Sequence, residues 1–198
     1  MSHALLLENV LDLLNLARAQ GVRAPEALIV SLAAAAQRML GAHRVWTHPD
    51  GEIALLGDAA FDIAQPPAKL EAYASSLGIK VKVSPRPGAL ADAGVYRMES
   101  ADLVLIATAA PPAPAYQPGH AHCDALSFEL SVGTQRVITD TGVSEYIPGK
   151  LREISRQTSS HATLQIDDCE QSEIWALHRI GGRCEVEIEI ATESCLDA

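Results

Sequence analysis

Helical patterning early in the chain, period-two patterning after it, and the absence of strand–helix alternation predict an α+β protein, or a helical piece followed by an all-β domain. The 198 residues are 48% hydrophobic, which is enough for a real core in one domain or slightly more. Only 4% are aromatic, so that core must be built mainly from aliphatic side chains.

The helices come first. Leu6, Val10, Leu13, Leu14 and Ala17 fall on one stripe, and Gly21 is placed to stop the first helix. Pro25 suits the first turn of a second helix, whose pattern runs through Leu28, Leu32, Ala35 and Leu40 to a stop at Gly41. The short link predicts an antiparallel hairpin, and one this apolar needs further helices to pack against. Residues 44–64 read as a transition with a turn at Pro49-Asp50-Gly51. A short helix follows Pro66-Pro67, from Ala68 to Leu77, ending at Gly78.

From there the period becomes two. Lys80-Val81-Lys82-Val83 alternates and Leu103 to Ala107 is a short buried run. Leu126, Phe128, Leu130 and Val132 alternate with Ser127, Glu129 and Ser131. Further strands are expected at Arg136 to Thr139, Ala162 to Ile166 and Glu185 to Ile190. A Pro-rich linker at Pro111-Pro112-Ala113-Pro114 interrupts this half.

Composition excludes several classes. Fifteen Lys and Arg against 25 Asp and Glu give a formal charge of −10, which argues against a general nucleic-acid binder or an anionic-membrane binder. No apolar run approaches the roughly 18 residues a bilayer span needs. The first 18 residues carry Glu8 and Asp12 within their apolar pattern and read as an amphipathic helix rather than an export signal. Cys123, Cys169, Cys184 and Cys195 lie far apart and read as reduced thiols. The acidic stretch 163–198 reads as a solvated sheet face.

The densest polar motif is Gly119-His-Ala-His-Cys-Asp124. On an extended backbone His120, His122 and Asp124 share one face, and two imidazoles with a carboxylate are metal-ligand chemistry. Asp140 at a strand end and His161 before another strand are placed to join His122 at one point. The blander alternative is a pair of partly exposed imidazoles without a metal. His3, His43, His48 and His178 lack ligand-spaced partners, and Tyr96, Tyr116 and Tyr146 read as packing before chemistry. A cupin-like barrel is disfavoured, because six residues separate His122 from Glu129 where that motif needs three or four.

Four ordered motifs carry a family resemblance. Pro118-Gly-His-Ala-His-Cys-Asp-Ala-Leu-Ser-Phe-Glu-Leu-Ser-Val-Gly133 resembles the signature of the heparinase II/III-like polysaccharide lyases. Arg136-Val-Ile-Thr-Asp-Thr-Gly-Val-Ser-Glu-Tyr146, Arg156-Gln-Thr-Ser-Ser-His-Ala-Thr-Leu164 and Asp168-Cys-Glu-Gln-Ser-Glu-Ile-Trp175 follow in the family's order. Upstream, Asp50-Gly-Glu-Ile-Ala-Leu-Leu-Gly-Asp-Ala-Ala-Phe61 is similar to the stretch that leaves the family's helical toroid. Ala162 departs from the pattern, standing where the family has Asn, and Cys123 and Thr139 occupy commonly small or apolar positions.

The resemblance implies a short N-terminal helical hairpin, the end of an α/α toroid, followed by an antiparallel β-sandwich. The toroid remnant and transition would occupy 1–64 and a partial sandwich 65–198. It implies β-elimination of uronic-acid-containing polysaccharide, with His120 as the catalytic-site histidine and zinc held by His122, Asp140 and His161. In the family the toroid supplies the Tyr that acts as base and acid and the Asn or His that neutralises the uronate. Neither has a counterpart here, so a toroid-bearing partner chain is expected alongside the acidic polysaccharide. The alternative is a non-catalytic, zinc-stabilised carbohydrate-binding or structural module. The family usually works in the periplasm or outside the cell, whereas this sequence displays no export signal, so the compartment stays open.

Overall fold

The computed structural model describes residues 2–19, 21, 23–80, 88–114, 116–192 and 195–197. Helices α1 (Ser2–Arg18) and α2 (Glu26–Val45) pack together and α3 (Pro67–Ser76) closes against both. The spacing of Leu7, Leu11 and Leu14 puts all three on one face of α1, where they are fully buried against Ala36, Leu40, Leu70 and Ala74. Each leucine buried this way contributes about 2 kcal/mol. The stripe expected from the sequence is therefore not the buried one: Leu14 belongs to the core, but Leu6 and Leu13, with Leu16, point to solvent, because α2 and α3 pack on the neighbouring face.

Helix α2 does not stop at Gly41. It continues to Val45 because the extra turn buries His43 and Val45, and Thr47 Oγ1 donates to the carbonyl of His43 at 2.7 Å. Gly21, at φ +85°, and Gly78, at φ +70°, do mark the ends of α1 and α3.

The sheet is an antiparallel meander of β1 (Gly88–Leu90), β2 (Val95–Ser100), β3 (Leu103–Thr108), β4 (Phe128–Val132) and β5 (Gln135–Ile138), ordered as in the sequence. Arg97, Ile106 and Glu129 lie side by side across β2, β3 and β4. That face is covered by the strap leaving α2: Arg97 Nη1 donates to the Thr47 carbonyl at 2.6 Å, and Val45 and Ala54 pack with Val95, Val104 and Ile106. The turn at Pro49-Asp50-Gly51 forms as expected, with Gly51 at φ +93° and a bridge between Thr47 and Ile53. On β4 it is the polar side, Ser127, Glu129 and Ser131, that is wholly buried, while Val132 is exposed.

Beyond the sheet come α4 (Lys150–Ser155), β6 (Glu173–Trp175) paired with β7 (Arg179–Gly181), and β8 (Ile190–Ala191) paired with β9 (Leu196–Asp197). The strands expected at Ala162 to Ile166 and along most of Glu185 to Ile190 do not form. The first spends its backbone elsewhere: the Ala162 carbonyl accepts from Phe128 N and the Leu164 carbonyl from Gln171 Nε2. Residues 185–188 alternate correctly but have no strand beside them among the described residues. Val81 to Val83, expected as a strand, lie outside the described residues. Among the described residues no helix is long and apolar enough to cross a membrane.

Candidate active site

A 3₁₀ turn at Pro118–His120 delivers the chain into the extended stretch that carries His122, and the two histidines converge on one carboxylate. His120 Nδ1 lies 2.7 Å from Asp58 Oδ2, and His122 Nε2 lies 2.7 Å from Asp58 Oδ1. Asp58 sits on the strap before α3, and its carboxylate is nearly sealed. Arg152 of α4, fully buried, donates to both oxygens of Asp58 through Nη1 and Nη2. It also donates to the carbonyls of Gly119 at 3.1 Å and Leu177 at 3.3 Å. Burial alone would raise the Asp58 carboxyl, but the His122, Arg152 and His120 contacts overcome it and hold the group well below the usual carboxylate range.

An ionised Asp58 accepts only, so it fixes the tautomers of both histidines. His120 donates from Nδ1, which leaves the lone pair on Nε2 of a ring whose side chain is half exposed. His122 donates from Nε2, which leaves a lone pair on Nδ1, and that atom is buried without a hydrogen-bond partner.

His161 completes the arrangement. Its Nδ1 lies 2.9 Å from both oxygens of Asp140, so in the neutral ring the lone pair falls on its partnerless, buried Nε2. Burial lowers the His161 pKa, yet the Asp140 hydrogen bond and charge raise it overall. The rings of His122 and His161 are 5.2 Å apart. Asp140 is set by the strand end and by a tight approach at Gly142, whose φ is +57° and whose N–H donates to Asp140 Oδ1 at 3.1 Å. A Cβ there would run into the Ala59 carbonyl oxygen. Among the described residues no three His, Cys, Asp or Glu side chains form a ready-made metal cage. The donor set is nonetheless suited to a borderline-soft cation: two adjacent buried lone-pair nitrogens with a carboxylate against one of the rings.

Of the residues expected to meet, His161 stands between the other two, hydrogen-bonded to Asp140 and ring to ring with His122. Asp124 is drawn in too: burial raises its carboxyl, with His161, His122 and Asp140 all close enough to act on it. His120 and Asp124 line a cleft of about 890 Å³, with Asp58 below and Arg183 and the linker at Pro112 opposite. Tyr146 flanks His120 edge-on at 6.1 Å, stacks on Arg152 at 5.1 Å, and donates to the Asp58 carbonyl at 3.3 Å. Burial first, then the Asp58 charge, push its hydroxyl up to about 12. Arg156, also fully buried, holds the floor by donating to the carbonyls of Ala121, Ala176 and Arg179.

Other candidates fall away. His3 and His43 cluster with Trp46 at the helical end, and Tyr116 is almost fully exposed. Cys123 is buried, with its thiol pushed up to about 11 by desolvation, which makes it a packing residue. Ser131, His48 and Glu129 stand in a row that resembles a nucleophile, base and orienting acid, but Ser131 and Glu129 are sealed from solvent and no substrate reaches them. Asp58, Arg152 and Glu129 were not singled out from the sequence. Asp58 does lie in the quoted Asp50–Phe61 resemblance, and Arg152 stands one helical turn before Arg156.

The chain is thus an α+β protein, with N-terminal helices followed by an antiparallel sheet and a histidine-lined cleft over a buried polar floor. The chain belongs to the Heparinase II/III-like, C-terminal family, whose profile matches residues 82–196. Among solved structures, the heparan sulfate lyase HepC from Pedobacter heparinus superposes with a TM-score of 0.63 at 23% identity, covering 86% of this chain and 29% of that one. The Heparinase III-BT4657 gene product with methylated lysines superposes with a TM-score of 0.64 at 17% identity, covering 88% and 30%. The chain thus spans under a third of the length of these structures. No curated protein matches the sequence.

Proposed function

We propose that this chain is the sandwich-bearing part of a lyase that cleaves uronic-acid-containing, acidic polysaccharide by β-elimination. The observation that carries the reading is His120: an imidazole whose tautomer is set by a buried Asp58–Arg152 pair and whose free nitrogen faces a cleft. β-Elimination removes the proton α to the uronate carboxylate and protonates or releases the oxygen β to it. With Nδ1 pinned, His120 offers Nε2 either to take or hold that proton, or as a hydrogen-bond donor to the carboxylate once protonated. Arg183 on the cleft wall is a cation placed to meet an anionic sugar, while beneath it Arg152 is engaged by Asp58 and Arg156 by backbone carbonyls. Tyr146, with its hydroxyl at about 12, is an acid rather than a base at neutral pH.

Zinc is the cation this reading assigns to His122, Asp140 and His161. The support is the pair of buried, partnerless lone-pair nitrogens. Bound there it supplies a structural tie between the His120 loop, the end of β5 and the segment after α4. A toroid-bearing partner is assigned to the helical end, where Leu6, Leu13 and Leu16 stay exposed.

The test is the appearance of unsaturated uronate absorbance with heparan sulfate or alginate, using the chain alone and with a toroid-bearing partner. His120→Ala should abolish any signal while leaving the fold intact. Elemental analysis should give about one zinc per chain, lost in His122→Ala and His161→Ala. The second reading, a non-catalytic carbohydrate-binding module, is favoured by the raised Tyr146, which leaves no tyrosine base beside His120. Polysaccharide binding without product under every metal and partner condition would establish it.

A further inference from the structure

Glu129 is a fully buried carboxylate at the centre of β4 that touches neither the cleft nor the two partnerless nitrogens. Its contacts reach both. Oε1 accepts the backbone N–H of Leu55 at 2.9 Å and that of Asp140 at 3.0 Å. Oε2 lies 3.1 Å from Arg136 Nη1 and 2.7 Å from His48 Nε2, whose other nitrogen is 2.7 Å from Ser131 Oγ. One carboxylate therefore fixes where the backbone of Asp140 stands as the chain leaves β5. The same oxygen fixes Leu55, on the strap between the helices and Asp58.

Strand pairing does not do this job. The β4–β5 ladder slips at Leu130/Ser131, and its last pair is Leu130 with Ile138, two residues short of Asp140. Past that point Asp140 is held by the Glu129 oxygen, by the Gly142 N–H on its own side chain and by His161.

We propose that Glu129 is a positioning residue for the cation site: it aims Asp140 at His161, whose ring neighbours His122, and it ties occupation of that site to the helix–sheet junction at Leu55. The inference rests on the zinc reading above. Reach and charge are separable here. Glu129→Asp keeps the charge facing Arg136 and His48 but shortens the side chain by one methylene and withdraws from the two backbone N–H groups. Glu129→Gln keeps an oxygen at full reach and removes the charge.

Positioning therefore predicts that Glu129→Asp weakens zinc about 10- to 100-fold. Glu129→Gln should stay within about threefold of wild type, although it loses the charge facing Arg136. A purely structural carboxylate predicts the reverse order in urea stability of the metal-free protein and equal zinc affinities. The measurements are zinc competition titrations on the full chain, with the visible spectrum of the cobalt-loaded form at saturation. That spectrum should change in Glu129→Asp and match wild type in Glu129→Gln. If wild type binds no zinc, the zinc reading falls and this proposal with it. If wild type binds and Glu129→Asp binds equally well with an unchanged cobalt spectrum, this proposal alone falls. Should Glu129→Asp fail to fold, amide hydrogen exchange in wild type decides. Zinc must slow the Leu55 and Asp140 amides together, and slowing of Asp140 alone overturns the coupling.

Discussion

The two halves of this molecule are held together by opposite kinds of interior. Around α1–α3 the central buried cluster is Ala, Leu and Ile, side chains that pack with no directional requirement. Behind the cleft the buried residues are His122, Glu129, Asp140, Arg152, Arg156 and His161. An apolar core gains in proportion to area and tolerates exchange among similar shapes. A buried polar network gains only when every donor and acceptor is matched, and it then specifies one arrangement. The half that lines the cleft is thus the half that cannot tolerate small errors.

The largest effect expected from this contrast is at Arg152. Arg152→Met keeps the volume but leaves Asp58 buried without its guanidinium and strips donors from the Gly119 and Leu177 carbonyls. Removing one partner of a buried pair typically costs about 3–5 kcal/mol. Urea denaturation should show that loss, and a cost below about 1.5 kcal/mol would erase the distinction between the two interiors.

His43 is the exception inside the apolar half, and it sharpens the comparison through pH. Burial first, and then the neighbouring His3, lower its pKa to about 4, with Trp46 Nε1 donating to Nδ1 at 2.8 Å. Between the unfolded value of 6.5 and about 4, the unfolded chain binds more protons than the folded one. The stabilisation is therefore complete above pH 6.5 and is lost as pH falls through that window, by about 3 kcal/mol. His43→Gln should flatten this slope relative to wild type. An unchanged slope would place the titration elsewhere.

How much of this was legible in the sequence follows the same divide. The existence of α1 and the Gly21 and Gly78 stops could be read because periodicity is local, but a helix with leucines on two sides did not reveal that the Leu7, Leu11 and Leu14 face, and not Leu6 and Leu13, is the buried one. The His120-x-His122 motif could be read for the same reason, Asp140 and His161 were candidates from their places at strand ends, and the resemblance is what implied a shared zinc. Asp58 could not, because its partners are 62 to 94 residues away and a lone acid on a strap has no period. The alternation of β4 was visible, but which side faced inward was not. That side is the polar one only because His48, Leu55 and Arg136 arrive from elsewhere to satisfy it. The same dependence on neighbours explains residues 185–188, where the alternation met no pairing strand among the described residues and pairing begins only at Ile190 with Asp197.

Within the apolar half, Leu11→Met tests tolerance directly. Leu11 is fully buried, and a volume-conserving exchange there should cost less than about 1.5 kcal/mol by urea denaturation. A larger loss would mean the helical core is as exacting as the polar one.

The smallest effect is expected where the helical half carries the chemistry of the other half without its burial. Arg44 binds Glu71 through Nε at 2.6 Å and Nη2 at 3.0 Å, a bidentate pair like Arg152 on Asp58. Its two side chains are each 34% exposed, against 0% and 6% for the buried pair. Water screens the first pair and supplies replacement partners when one member is lost, so Glu71→Gln should cost at most about 1 kcal/mol and less in high salt. A double-mutant cycle on each pair isolates the coupling. If the Arg44–Glu71 coupling equals that of Arg152–Asp58, burial is not what separates the two regions, and the difference must lie in the extra donors Arg152 gives to the Gly119 and Leu177 carbonyls.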